Sequence, residues 1–565
     1  MTKMGWIALA SAVAVGGAVH TATATPAGCL AASGKRGQAC LAKYTKAVDQ
    51  CRKKQDAACE QALRAEGGPL AGLLADNDEP ISRACDDADA ETLGYLSAAD
   101  VQVRIDDGCV DWGEDALGLE YAAGQGSVAG ALLGCQRTVA SELAKLRAKT
   151  VALFGRGCFL KEAKGKTCNR ERRDDRFARA QTSATKHIDK RCKASFAALD
   201  LGPLDELVAT TATNARHFAI LVFPPNDLGP TGTFGPYRVG VTTLALADAS
   251  RSNVPGDGPR PVVTEVYYPT TDDAVAGLPR EIVSVVGVPI TEVPAYRDAA
   301  RADGRFPLVV FSHGNNGIRI QSLFFYLHLA SYGYVVATPD HHGNTFVDTI
   351  LGGVVDPASF DNRPRDMSFL LDQLLLLDSA PSGLFSGAID ADRIGASGHS
   401  FGGYTSFALA TQAAVGPPPD PRVKAIMPQA PAATGFTDQA FEALDIPTLI
   451  VGGSIDETTP FDDNQQRPFD LLPSGAVVVG LAKLHGGGHF TFSNFCDVDR
   501  DLLGFLDGFS EACLPRHLPW RHAHEITNYL ALNFFDAVLR GDSAALGRLE
   551  QAAQGPIDDL DLTLK

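Results

Sequence analysis

Two hydrophobic patterns divide the chain near residue 201. Before it, segments such as CQRTVASELAKLRAKTVALFGRGC (135–158) alternate apolar and charged residues at helical spacing. After it, short apolar runs are bounded by Gly and Pro. RPVVTEVYYP (260–269) alternates as a strand does, while RFPLVVFSHG (305–314) and YGYVVATPDHHG (332–343) read as buried strands that end in loops. DRIGASGHS, RVKAIMPQAP, IPTLIVGGSIDE and GAVVVGLAKLHGGGH add four more strand-then-loop units. IQSLFFYLHLAS and RDMSFLLDQLLLL carry helical patterns between them. This alternation predicts an α/β fold, a mostly parallel sheet with helices on both faces, preceded by an all-helical region. The expected boundaries are a leader at 1–24, a cysteine-rich helical region at 29–200, a linker at 201–230, the α/β region at 231–542 and a C-terminal tail at 543–565.

The first residues add a compartment. MTKMGWIALASAVAVGGAVHTATATPAGC has one lysine, an apolar stretch from Trp6 to Val19 and small residues ending in Ala22-Thr23-Ala24, the pattern of a secretory signal peptide. A secreted, periplasmic or cell-envelope protein is expected. Cys29 after Pro-Ala-Gly suggests a lipoprotein site instead, but Pro26 stands where leucine is usual. No later segment has eighteen consecutive apolar residues.

An oxidising compartment makes the 12 cysteines candidates for disulfides. Ten fall between Cys29 and Cys192; only Cys496 and Cys513 lie beyond. Cys29, Cys40 and Cys51 are eleven apart, which sets them on one helical face. Cys85–Cys109, Cys135–Cys158 and Cys168–Cys192 are separated by 23 or 24 residues, a spacing suited to antiparallel helices clipped together. No CxxC pair or Cys/His cluster favours a metal. The net charge of −17 argues against nucleic acid as a partner, since phosphate repels an acidic surface. Nearly all the excess acid lies beyond residue 200. The basic run KGKTCNRERRDDRFAR (164–179) reads as a solvated helix face, with contact to an anionic surface as the alternative.

Candidate chemistry centres on IGASGHSFGGYTS (394–406). With 56 glycines in the chain, G-x-S-x-G alone means little. Its context means more: a strand runs into Ser400 and FGGYTSFALATQAA continues as a helix, the strand–turn–helix of a nucleophile elbow. The helix N-terminus favours developing negative charge. A serine nucleophile needs a base, and His489 in HGGGHF follows the last expected strand; His485 is the rival. The base needs an acid to fix its tautomer. Asp456, in VGGSIDETTP, lies between serine and histidine, with Glu457 and Asp340 as alternatives. For an oxyanion, the loop FSHGNNG (311–317) offers the Asn315 N–H and the elbow offers that of Phe401; a plain glycine turn is the other reading of HGNNG. The segment from His341 to Pro364 is either a partial cover over this site or a surface loop.

At these residues the chain resembles the α/β-hydrolases, and more narrowly the bacterial predicted dienelactone hydrolases, which are similar to platelet-activating-factor acetylhydrolase and the cutinase-like polyester hydrolases. The resemblance runs from TGTFGPYRVGVTTLALADASR (231–251) to AHEITNYLALNFFDAVLRGD (523–542) and includes FSHGNNG, TPDHHGNT, GHSFGG, GGSIDETTP and GGGHFTF. It implies a serine esterase with Ser400, His489 and Asp456 as triad, no metal or organic cofactor, and a small-molecule, lipid or polyester ester as substrate. Two departures matter. Dienelactone hydrolase proper has a cysteine nucleophile where Ser400 stands. The strand after the elbow ends MPQAPAATG without a carboxylate, so the acid falls one strand later, as in the polyester hydrolases and lipases. In those relatives the final loop often carries a disulfide, a role Cys496 and Cys513 could fill. The rivals are a phospholipase or short-acyl lipid hydrolase, with polyester depolymerisation behind it, and a non-catalytic binding protein. For residues 29–200 a spacer, a surface or cell-envelope attachment module and a shield over the active site all fit.

Overall fold

A computed structural model describes residues 25–565 apart from 55–56, 66–67, 87–89, 91–97, 122–129, 224–227, 229–232, 254–255, 257, 350–354, 476–477, 498–511 and 556. The expected leader, residues 1–24, lies outside the described residues. Among these, no helix is long and apolar enough to cross a membrane.

The N-terminal half is helical: α1 (Pro26–Lys54), α2 (Ala57–Arg64), α3 (Pro69–Ala84), α4 (Ala98–Glu120), α5 (Gly130–Val151), α6 (Arg170–Cys192) and α7 (Leu204–Val222). Five disulfides staple it: Cys29–Cys85, Cys40–Cys109, Cys51–Cys59, Cys135–Cys192 and Cys158–Cys168. Cys135 sits at the start of α5 and Cys192 at the end of α6, so these two helices run antiparallel. Likewise Cys29 near the start of α1 bonds Cys85 just past α3.

Residues 201–230, expected as a linker, instead contain the most buried helix of this half. In α7, Leu207, Val208, Ala212, Ala215 and the run Phe218–Val222 are all buried. A helix apolar around most of its circumference must be covered on most sides. Phe223 at its end is received by two glycines, Gly34 of α1 and Gly155, where an added Cβ would lie 1.9 and 2.4 Å from the ring. Any larger residue there would push α7 out.

The second half is built on a ten-stranded sheet in the order β12-β11-β10-β9-β8-β6-β7-β2-β1-β5. Strands β6 (Phe306–Ser312), β7 (Val335–Pro339), β8 (Ile389–His399), β9 (Val423–Gln429), β10 (Thr448–Gly453) and β11 (Val479–Leu484) are mutually parallel. The long strands β1 (Arg238–Ser252) and β2 (Pro259–Thr270) pair antiparallel and join the sheet at β7; β5 (Ala295–Arg297) closes that edge. A hairpin, β3 (Glu281–Val285) and β4 (Val288–Val293), stands apart. Alternate residues of one strand serve opposite faces. Val309 and Phe311 of β6 join one apolar cluster with Phe325, Phe492 and Phe534, while Leu308 and Val310 join another with Met367, Leu371 and Phe407. Helices α8 (Leu323–Ser331), α9 (Ser359–Ser379), α10 (Phe401–Ala410) and α11 (Trp520–Leu539) cover the faces.

Residues 543–565, expected as a tail, are structured. They form α12 (Ser543–Ala552) and β12 (Leu560–Leu564), which pairs antiparallel with β11. Leu560 and Leu562 point into the core, and that short alternation ties the chain end to the sheet. The first apolar cluster also holds Phe154, Ala215, Phe218, Leu221 and Phe223 from the helical half together with Leu484, Leu518 and Trp520. The two halves share one core.

Candidate functional site

The nucleophile candidate owes its position to backbone strain. Ser400 lies between β8 and α10 at φ 58°, ψ −116°, a region a non-glycine residue occupies at a cost of about 1–3 kcal/mol. The turn is tight enough to exclude side chains on both sides. A Cβ at Gly398 would sit 2.4 Å from the Gly402 carbonyl oxygen, and one at Gly402 only 1.8 Å from that of Ser312. The Ser400 N–H donates to Gln429 O and its carbonyl accepts from Ala432 and Tyr404, which fastens the turn to the neighbouring strand and its own helix.

Three of the expected residues converge. Ser400 Oγ donates to His489 Nε2 at 2.9 Å, and His489 Nδ1 donates to Asp456 Oδ2 at 2.8 Å. His489 and Asp456 are buried, and Ser400 is 9% exposed. Asp456 is held at every lone pair that matters: Oδ1 accepts from the Thr458 and Thr459 amides at 2.9 and 2.7 Å, and Oδ2 also accepts from Thr459 Oγ1 at 2.9 Å. An acid so fixed orients the imidazole and stabilises its protonated form.

The rivals stand elsewhere. His485 meets Asp561 at the surface, 2.7 Å away. Glu457 is exposed. Asp340 accepts from the Arg319 amide at 2.7 Å and pairs with its guanidinium; burial pushes its carboxyl pKa up. Phe401 is the first residue of α10, where an N–H has no acceptor within the helix. The HGNNG loop passes beside Ser400, since a Cβ on Gly314 would lie 3.5 Å from Ser400 Cβ. Asn315 follows, exposed, with its side-chain oxygen accepting from Asn344 Nδ2 at 2.8 Å.

Sequence reasoning missed the layer beneath. His399 is buried with its two ring nitrogens committed: Nδ1 accepts from Gln321 Nε2 at 2.9 Å, and Nε2 donates to the His489 carbonyl at 2.8 Å. Gln321 Oε1 accepts the Gly314 amide at 2.9 Å. One amide and one imidazole thus link the HGNNG loop to the His489 loop. Burial, and then the nearby His489, hold His399 well below the usual histidine range, so it stays neutral. A second network surrounds Arg363, fully buried, whose guanidinium donates to the His313 carbonyl, to Asn344 Oδ1 and to Ser312 Oγ (3.0 Å) and lies 4.5 Å from the Phe401 ring. Burial pulls it down to about 9. Ser312 Oγ is 2.9 Å from His341 Nε2, and His341 Nδ1 is 3.0 Å from Asp366, which Arg260 grips bidentately at 2.7 and 2.8 Å. The segment from His341 to Pro364 is therefore not a simple surface loop. His341, Asp356 and Arg363 are buried in it, while Phe360, half-exposed, packs its ring 4.6 Å from that of Phe401 at the site's edge.

Comparison with known proteins bears on the same strands and loops. Residues 252–499 match a family model described as PET hydrolase-like. Cutinase 2 of Thermobifida cellulosilytica is 28% identical over 190 residues, 34% of this chain and 63% of that protein. Bis(hydroxyethyl) terephthalate hydrolase of Streptomyces coelicolor is 29% identical over 196 residues, 35% of this chain and 54% of that protein. A solved ferulic acid esterase from Streptomyces cinnamoneus aligns with a TM-score of 0.42 and 26% identity, covering 54% of this chain and 91% of that one. The chain spans between half and two thirds of the length of these curated relatives. The PET hydrolase-like stretch contains β2, β6–β11, the elbow, Asp456 and His489. It has an α/β-hydrolase fold and resembles the cutinase-like polyester esterases. Helices α1–α7 lie outside it. Cys496–Cys513 closes just past its end.

Proposed function

We propose that the protein is an exported serine hydrolase that cleaves carboxylic esters, with polyester-type substrates as the favoured class. The observation that carries this is the Ser400–His489–Asp456 relay, with contacts of 2.9 and 2.8 Å, on a strained elbow. Ser400 Oγ attacks the ester carbonyl while His489 Nε2 takes its proton. The carbonyl oxygen becomes an oxyanion held by the Phe401 and Asn315 amides, each worth about 3–4 kcal/mol in acyl transfer of this kind. Collapse of the tetrahedral intermediate expels the alcohol, which receives the proton from His489. Water then attacks the acyl-enzyme with His489 again as base and restores Ser400 and the acid product. Asp456 stabilises the imidazolium in both halves. The disulfides and the signal-like first residues favour export.

The polyester reading is preferred to a phospholipase or short-acyl lipid hydrolase because the family match and the names of the relatives point to polymer and terephthalate esters. The test is hydrolysis of p-nitrophenyl esters from two to sixteen carbons, followed by soluble-product release from a polyester film, with Ser400→Ala alongside. Activity on both that collapses in the variant supports the proposal. A folded, disulfide-intact protein inert on every ester would refute it and leave the non-catalytic binding reading. Activity on long acyl chains with none on the film would move the substrate class to lipids.

A further inference from the structure

The His489 loop is gripped from outside the hydrolase half. It leaves β11 at His485 and reaches His489 through three glycines. On its inner side Ile455 N–H donates to Gly487 O at 3.0 Å and the Gly486 amide donates to Ser454 Oγ at 2.8 Å, so the loop is tied to the loop carrying Asp456. On its outer side stands α7. A Cβ on Gly486 would lie 3.3 Å from His217 Cε1 and 3.2 Å from Leu518 N. Leu518 N–H donates to the Gly486 carbonyl at 2.8 Å, and His217 Nδ1 donates to the Pro515 carbonyl at 3.1 Å, so His217 pins the segment that pins Gly486.

A second contact reaches the start of the loop. Arg216 of α7 holds the Asp559 carboxylate bidentately, with Nη2 to Oδ2 at 2.6 Å. The Asp559 carbonyl accepts the His485 N–H at 2.9 Å, directly before the three glycines. Arg173 of α6 fixes the neighbouring Asp558 at 2.8 Å, and the Arg173 and Arg216 guanidinium groups lie 4.5 and 5.3 Å from the Phe154 ring. Asp559 itself adopts φ 67°, outside the ordinary range for a side-chain-bearing residue, and its conformation depends on these partners.

We propose that α7, through Arg216 and His217, is a positioning element for His489: the helical half sets the register of the base against Ser400. This rests on the reading of Ser400 and His489 as the reacting pair. A glycine-rich loop has little conformational preference of its own, so its geometry must come from what it packs against. The helical half is then an integral wall of the hydrolase, not an appendage for attachment.

The test uses the full chain with its disulfides intact. Arg216→Met and His217→Ala are compared with Arg147→Met, which breaks another buried ion pair, Arg147 with Glu120, inside the bundle. Three quantities are read: kcat and KM on a p-nitrophenyl ester, the rate of phosphonate labelling at Ser400, and amide hydrogen exchange over residues 485–490. Arg216→Met is expected to lower kcat and the labelling rate about tenfold, with KM within about twofold, and to speed exchange in the loop by a similar factor. His217→Ala should do the same about threefold. Arg147→Met should lower the melting temperature without these changes. Unchanged kcat and loop exchange in both α7 variants, or an equal fall in Arg147→Met, would overturn the proposal. If the wild type hydrolyses nothing yet Arg216→Met loosens the loop, the hydrolase reading fails and the clamp on the loop stands.

Discussion

The two halves hold themselves together by different means. The helical half spends five of the six disulfides, and helix α6 buries only a narrow stripe, Arg173, Ala180, Ala184, Ile188 and Cys192. A stripe that thin contributes little hydrophobic stabilisation, and covalent staples make up the difference. The sheet half has two apolar layers and a single disulfide, Cys496–Cys513. It can therefore bury a strained serine, a neutral histidine and an uncommon arginine with one staple instead of five. The contrast separates what gives stability from what gives chemistry.

The largest effect is expected at the relay. Ser400→Ala and His489→Ala should each cut kcat by about 10⁴-fold or more, and Asp456→Asn by about 10³–10⁴-fold, with melting temperatures nearly unchanged. Stopped assays on purified protein measure this; an Asp456→Asn variant within tenfold of wild type would put the acid elsewhere.

Removing a staple should do the opposite. Paired Cys40→Ser and Cys109→Ser changes open a 69-residue separation, worth about 4 kcal/mol in a chain-entropy estimate. Denaturant titration should show that loss while esterase activity at 25 °C stays within twofold. The pair Cys496 and Cys513, separated by 17, should cost about 3 kcal/mol.

Acid should weaken both halves through buried histidines. Burial first, and then Arg216, holds His217 to about 4; burial and Arg363 hold His341 to about 3; burial and Arg516 hold His517 to about 3. His313 and His399 lie well below the usual range, chiefly by burial. A histidine whose folded pKa is depressed leaves the unfolded chain binding more protons. Its contribution is full above the unfolded value near 6.5 and is lost as pH falls from there toward the folded value. Stability should drop by several kcal/mol between pH 7 and pH 5. Melting temperatures flat across that interval would contradict the neutral assignments.

The smallest effect concerns the layer under the site. Gln321→Leu removes the Gly314 and His399 contacts, and a loss of about 1–1.5 kcal/mol of positioning should lower kcat about tenfold and leave KM unchanged.

How much of this was legible in the sequence follows the same division. The six parallel strands and the order Ser400, Asp456, His489 were readable because each motif ends a strand, and a parallel sheet brings strand ends together. Local periodicity also gave the antiparallel helices. It did not give the disulfide pairs, since the 23- and 24-residue intervals are bridged crosswise, as Cys135–Cys192 and Cys158–Cys168. It misjudged α7 as a linker because GPLDELVATTATNARH begins polar and its burial is set by glycines far away, Gly34 and Gly155. It missed β12, a five-residue strand whose pairing is set by β11. Gln321, His399 and Arg363 act through contacts 78 to 90 or 50 residues away, and no local pattern marks them.

An activated Ser400 served by His489 should react with a fluorophosphonate ahead of every other residue. The most direct measurement is intact mass and peptide mapping after treatment with a fluorophosphonate, for wild type, Ser400→Ala and His489→Ala. One phosphonyl group is expected on Ser400 in the wild type, none in Ser400→Ala, and labelling slowed by about 10³-fold or more in His489→Ala. Labelling at another residue, or equally fast labelling without His489, would contradict it.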